Sequence, residues 1–201
     1  VAVQVAMAGP AIPAARAATG DDLAPDVLIK RISDEVIATI KQDKDIRAGD
    51  EAKAAALIEA KIVPHFDFKR ITQLAVGASW RQASAEQRDG LTREFQTLLV
   101  RTYSGALASY SGQTIEYSPL RAKPGDTEVT VHSRVKQPGA EAIVIEYDME
   151  KSAAGWKVFD VRISGISLVA TYRTTFAEEV RNNGVDGLIA LLTSKNQRSR
   201  S

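Results

Sequence analysis

The spacing of the apolar residues changes once along this chain, and that change constrains the fold more than any other feature. From Ser84 to about Tyr110, Leu91, Phe95, Leu98, Leu99, Tyr103, Leu107 and Tyr110 recur at intervals of three and four, the stripe of one long helix. From Gln113 to Ile163 the interval becomes two, in four runs: QTIEYSPL, TEVTVHSRV, AIVIEYDMEK and WKVFDVRI. The separators RAKPGD, KQPGAE and SAAG carry the Pro/Gly chemistry of turns, and links this short join antiparallel neighbours.

Within those strands one face is apolar. Ile115, Tyr117, Val129, Val131, Val135, Ile143, Ile145, Tyr147 and Met149 share it, and Glu116, Glu128, Thr130, His132, Arg134, Glu146 and Asp148 take the other. In the last run Phe159, Val161 and Ile163 break step with Trp156 and Val158, which predicts a twist or a bulge there.

Helices come first. Pro25 suits a first helical turn, and Leu28, Ile32, Val36 and Ile40 follow it every fourth residue. Lys41–Asp50 reads as a polar linker, with Asp50 as N-cap of an Ala-rich helix carrying Leu57, Ile58 and Ile62. Asp67 caps a further short helix that stops at Gly77, and Ser84-x-x-Gln87 has the form of a capping box. After the strands, Ser167 to about Asn182 is helical, and Asn182-Asn183-Gly184 reads as its C-terminal cap, ahead of an amphipathic segment at Leu188–Leu192. The expected architecture is α+β: N-terminal helices and a long helix packed on a curved four-stranded antiparallel sheet, then a C-terminal helix.

The chemistry on offer is narrow. There is no cysteine, so disulfides, thiol catalysis and Cys-ligated zinc are excluded. Twenty-six basic and 25 acidic residues leave a net charge of +1, with no basic block to attract nucleic acid. His65 and His132 stand alone, without the spacing of a metal site. No phosphate-binding glycine loop or nucleophile elbow is present. An enzyme would have to use Asp67, explained as a helix cap, or Asp160, which beside Arg162 reads as an exposed ion pair. Tyr103, Tyr117 and Tyr147 could serve as polar handles in a cavity, but a Tyr on an apolar face is more simply packing.

Val1 to Ala15 carries no charge, and Ala15-Arg16-Ala17 fits the small-x-small pattern of a signal-peptidase site. Residues 1–22 are therefore expected to be a signal-peptide-like or flexible leader, 23–195 a single domain and 196–201 a polar tail. The resulting expectation is an exported, soluble protein.

One stretch leaves two readings open. GWKVFDVRISGISLVATYRTTF, Gly155 to Phe176, passes from strand period to helix period with Gly165 as the only hinge. Apolar residues on both arms can close a dry core or line a pocket for an apolar ligand, and periodicity does not separate the two.

The chain resembles the MlaC family over about Pro25 to Lys195. In the first block, PHFDFKRITQLAVGASWRQASAEQRDGLTREFQTLLVRTYSGALASY, the carriers are Pro64, Phe66, Asp67, Gly77, Trp80, Phe95, Leu98, Leu99, Tyr103 and Tyr110. In the second they are Trp156, Asp160, Val161, Gly165, Ser167, Leu168, Tyr172, Arg173, Phe176 and Gly184. Gly90-Leu91 departs from the pattern, which more often has an aromatic there.

That resemblance implies a helical part joined to a cystatin-like cone, with a phospholipid as cargo between sheet and helices and no cofactor. It implies a periplasmic shuttle, not an enzyme, working between an outer-membrane MlaA-type lipoprotein complex and an inner-membrane MlaFEDB-type transporter. The lipid-facing positions expected on the helices are Val76, Trp80, Phe95, Leu98, Leu99, Tyr103, Leu107, Val169 and Tyr172. On the strands they are Tyr117, Val129, Val131, Ile143, Ile145, Tyr147, Val161 and Ile163, with Ile166 following the hinge. The alternative is a cone-fold enzyme, an isomerase or hydrolase, acting on a hydrophobic small molecule.

Overall fold

The computed structural model describes residues 23–198, so the leader lies outside the described residues. Helix α1 (Pro25–Gln42) begins with its proline in the first turn and buries Leu28, Ile29, Ile32, Val36 and Ile40. The segment expected to be a polar linker folds into a short helix, α2 (Lys44–Arg47). The Asp43 carboxylate accepts from the Asp45 and Ile46 amides, and the driving force is Ile46, which is buried. Helix α3 (Glu51–Lys61) starts at the predicted Asp50 cap, which accepts from the Lys53 amide.

A 3₁₀ turn (Val63–His65) leads to α4 (Phe68–Val76), capped by Asp67 accepting from the Arg70 amide at 2.9 Å and ended by Gly77 at φ 68°. A second 3₁₀ turn (Gly77–Arg81) precedes α5 (Ala85–Ala108), whose capping box has both reciprocal bonds between Ser84 and Gln87.

Five strands form one antiparallel sheet in the order of the chain: β1 (Thr114–Tyr117), β2 (Glu128–Lys136), β3 (Ile143–Ser152), β4 (Gly155–Ile163) and β5 (Ile166–Ser167). The observed class is the expected α+β one, with one strand more than expected. Val129 faces Met149, Val131 faces Tyr147 and Val135 faces Ile143, so the apolar parity holds across the sheet. The predicted bulge is present: Asp148 pairs with Asp160 and Met149 with Val158, which leaves Phe159 unpaired between them.

The hinge after β4 differs from the single glycine expected. Ser164 and Gly165 both take positive φ, 50° and 82°, and Ile163 pairs with Ile166. This is a two-residue hairpin whose second arm, β5, was too short to show a period. Helix α6 (Leu168–Arg198) then starts at once. Gly184, expected to cap it, instead kinks it at φ 72° and ψ −177°, and the helix resumes. It continues beyond the expected domain boundary: Asn196 is buried, and its amide nitrogen donates to the Glu94 carbonyl and carboxylate.

Two cores result. One lies between the sheet and α1–α3 and contains Leu28, Ile32, Val36, Ile40, Ile46, Leu57, Val131, Met149 and Val158. The other lies among α4, α5 and α6 and contains Ile71, Val76, Trp80, Leu91, Phe95, Leu99, Phe176, Leu188 and Leu192. Phe66 packs against both.

Candidate functional site

The expected lipid-facing residues divide between these cores. Val76, Trp80, Phe95, Leu99 and Val169 are buried in the helical core, with Leu98, Tyr103 and Tyr172 packed on its margin. Phe95 anchors an aromatic group, edge-on to Tyr172 and to Phe176 with both ring centroids 4.9 Å away. Val131 is buried in the sheet-side core, with Leu107, Tyr117, Val129, Tyr147 and Val161 half-buried against it. Ile145 and Ile163 pair across β3 and β4 and are partly buried. Ile143 and Ile166 lie nearer the surface, 40% and 68% exposed. Helix α5 thus serves both cores, the helical one through Leu91, Phe95 and Leu99, and the sheet-side one through Leu107, Ala108 and the adjoining Tyr110.

Phe66 packs against both cores; Tyr103 and Tyr172 are partly buried against the helical one, and Tyr147 and Val161 against the sheet-side one. Tyr147 keeps accessible surface, yet burial pushes its phenol up to about 12. Burial also raises the phenols of Tyr103 and Tyr117. All three are therefore neutral at physiological pH, suited to donate hydrogen bonds and poor as bases or nucleophiles.

Parity along β2 places a fourth residue on the apolar face. Ser133 stands level with Val131 and Val135, pairs with Tyr117 on one side and Ile145 on the other, and is buried. Its hydroxyl donates to the Ile145 carbonyl at 3.3 Å. Counting in twos from Val129 finds it; attention to apolar residues alone passes over it. Phe66, for its part, lies outside any periodic run, and only the fold reveals that it joins the cores.

The carboxylates point elsewhere. Asp160 is not an exposed ion pair: it caps α6 from β4. One of its oxygens accepts from the Val169 amide at 3.1 Å and the other from the Ser167 hydroxyl at 2.5 Å. Ser167 Oγ in turn accepts from the Ala170 amide. Arg162 instead pairs with Glu146 at 2.8 Å and Asp148 at 2.5 Å on the outer sheet face. His132 joins that cluster with Nδ1 3.0 Å from Glu146. Hydrogen bonding from Arg162 holds the Glu146 carboxyl below its usual range. Arg70 reaches over the bulge, with its guanidinium 3.9 Å from the Phe159 ring centroid and paired to Glu128 and Glu150. Among the described residues no group of three or more His, Cys, Asp or Glu could hold a metal.

Two shallow, open clefts lie on the surface of the described residues. One, of about 330 Å³, is bordered by Gln73, Leu74, Gly77, Ala78, Trp80, Arg81 and Arg173. The other, of about 380 Å³, is bordered by Lys44, Arg47 and Ala48. Each is small beside a ligand with two long apolar chains.

Comparison with known proteins gives the geometry a context. The family model described as MlaC protein matches residues 30–194. The intermembrane phospholipid transport system binding protein MlaC of Haemophilus influenzae is 22% identical over 171 residues, 84% of this chain and 80% of that protein. The toluene tolerance protein ttg2D of Pseudomonas putida is 23% identical over 163 residues, 81% of this chain and 75% of that one. A phospholipid-binding protein from Ralstonia solanacearum, solved in complex with a phospholipid, superposes with a TM-score of 0.82. It is 44% identical, and the match covers 88% of this chain and 98% of that one.

Proposed function

The chain belongs to the MlaC family, and from that premise we propose that it is a phospholipid carrier, exchanging diacyl lipid between membrane-bound partners in the periplasm. The observation that carries this reading is the Ralstonia solanacearum neighbour, which holds a phospholipid on a fold shared over 88% of this chain. The partners in this reading are an outer-membrane MlaA-type complex and an inner-membrane MlaFEDB-type transporter. No helix of the described residues is long and apolar enough to cross a membrane, as a carrier moving between two membranes requires.

The chemistry of an apolar interior suits the task. Two acyl chains hold roughly 30 methylenes, each worth about 0.8 kcal/mol out of water, so on the order of 20 kcal/mol keeps the lipid from escaping into solvent. A bilayer or a partner's channel offers nearly the same shelter. Exchange by contact then lies near balance while release through water is slow. In this reading the acyl chains lie around Phe66, Tyr103, Leu107, Tyr147 and Val161, and the binding step needs neither cofactor nor proton transfer.

The test is direct. Protein purified without added lipid and extracted into organic solvent should yield diacyl phospholipid near one per chain by mass spectrometry. Folded protein that is repeatedly empty, and that takes up no lipid from vesicles, would remove the basis of the carrier reading.

A further inference from the structure

Where α4 ends against α6, two arginines border one cleft and have no partner of their own. The cleft, of about 330 Å³, lies between the end of α4, the turn Gly77–Arg81 and Arg173. Arg81 closes that turn, and Arg173 stands on the second turn of α6. Both are exposed, and among the described residues neither guanidinium makes a hydrogen bond or an ion pair. Arg70 and Arg162, by contrast, each hold two carboxylates. No acidic residue borders the cleft.

The surroundings place these charges without neutralising them. Gly77 has φ 68°, and a β-carbon there would lie 3.9 Å from both Nε and Nη2 of Arg173, so the forked edge of that guanidinium lies beside the Gly77 backbone. The end of α4 does not need it, because the Gly77 amide already donates to the Gln73 carbonyl. Arg88 fixes the turn from α5, donating from Nε to the Trp80 carbonyl at 3.0 Å and from Nη2 to the Arg81 carbonyl at 3.1 Å. It adds a third positive charge and no counter-charge.

Two uncompensated cations in one recess repel a cation and gain nothing from hydrocarbon. A guanidinium is planar, and its paired N–H groups match two oxygens of one phosphate. We propose that the cleft binds a phosphate group, held by Arg81 and Arg173, whether that group is the head-group phosphate of a bound lipid or free phosphate. The first source rests on the carrier reading and adds head-group recognition to it. The cleft is too small for two acyl chains, but it adjoins the helical core: Trp80 is buried in that core, and Tyr172, next to Arg173, packs edge-on to Phe95.

The test has two arms, each run on wild-type protein and on an Arg81→Gln/Arg173→Gln double variant. Both side chains are exposed, so the variant should fold, which denaturant unfolding verifies. In the first arm, isotope-labelled protein is titrated with inorganic phosphate, with sodium chloride of equal ionic strength as control. The Gly77 and Ala78 amide resonances should shift saturably with phosphate in the wild type and not in the variant. In the second, delipidated protein is offered equimolar dipalmitoyl phosphatidylglycerol and dipalmitoyl glycerol in detergent micelles, and the bound species are weighed by native mass spectrometry. The preference for the phosphorylated lipid should be roughly five- to tenfold lower in the variant, with diacylglycerol binding unchanged. A lowered preference assigns the site to the lipid head group; a saturable phosphate response with an unchanged preference assigns it to free phosphate. Phosphate shifts no larger than those of chloride, together with a preference that the variant keeps, overturn the proposal. Protein that binds neither lipid removes the carrier reading and leaves the phosphate titration to decide the site, so the two failures are distinguishable.

Discussion

Gly165 and Tyr147 show how single residues divide between backbone and burial chemistry. At φ 82°, Gly165 is in a conformation that side chains rarely adopt, yet a β-carbon there would meet nothing within 4 Å. Any penalty for substitution is therefore backbone strain alone. Gly165→Val should cost about 1–3 kcal/mol, measured by denaturant unfolding, and Gly165→Asn distinctly less, because Asn tolerates positive φ. Equal stabilities would mean that the hairpin relaxes to ordinary dihedrals. Tyr147 bears on pH instead. Its folded-state pKa of about 12 lies above the unfolded value near 10, so the folded chain holds this proton more tightly. The stability it contributes is complete below pH 10 and is lost as pH rises from about 10 to 12. Across that window wild-type protein should lose on the order of 2 kcal/mol more than Tyr147→Phe, followed by unfolding at fixed denaturant. Parallel curves would show that the phenol is better solvated than its burial suggests.

Among the elements, α5 serves the two cores at different points along its length. Leu99 is buried within the helical core, whereas Leu107 is half-buried at the sheet-side margin. Leu99→Ala should cost about 2–5 kcal/mol of stability. Leu107→Ala should cost clearly less but lower the lipid retained after gel filtration. If Leu99→Ala empties the protein without destabilising it, the helical core is itself the lipid site. The sequence carried α5 well, because a capping box is a local motif and a stripe of seven apolar residues has a clear period. It carried the sheet faces equally well, since alternation reports parity whatever covers the face. It could not tell which of the two cores each apolar residue would join, because periodicity identifies an apolar face and not its partner. The function of Asp160 was hidden for a related reason: its partners, Ser167 and Val169, come to it only through a hairpin whose second arm is two residues long. Helix α6 misled at Gly184 because positive φ there ends one helical segment without preventing another from starting.

For the whole molecule the main contrast is between an apolar interior and a charged exterior. The outer sheet face carries Arg162, Glu146, Asp148 and His132 in one paired cluster. Hydrophobic burial does not weaken with ionic strength as exposed ion pairing does. Lipid retention by the isolated protein should therefore stay constant between about 0.05 and 0.5 M salt. Transfer to a membrane partner, measured by fluorescent lipid exchange, should slow over the same range if charge steers the encounter. Lipid lost from the isolated protein at high salt would mean that a polar contact carries most of the affinity. Neither core is contiguous in the chain: the sheet-side core draws on residues from Leu28 to Val158, and the helical core on residues from Ile71 to Leu192. The first 150 residues therefore hold all of α1–α5 and all but Val158 of the buried sheet-side core, but they cannot close the helical core, since the whole of α6 is still to come. Closure of the helical core therefore waits for the last part of the sequence, so a chain that has lost α6 should leave Ile71, Phe95 and Leu99 uncovered.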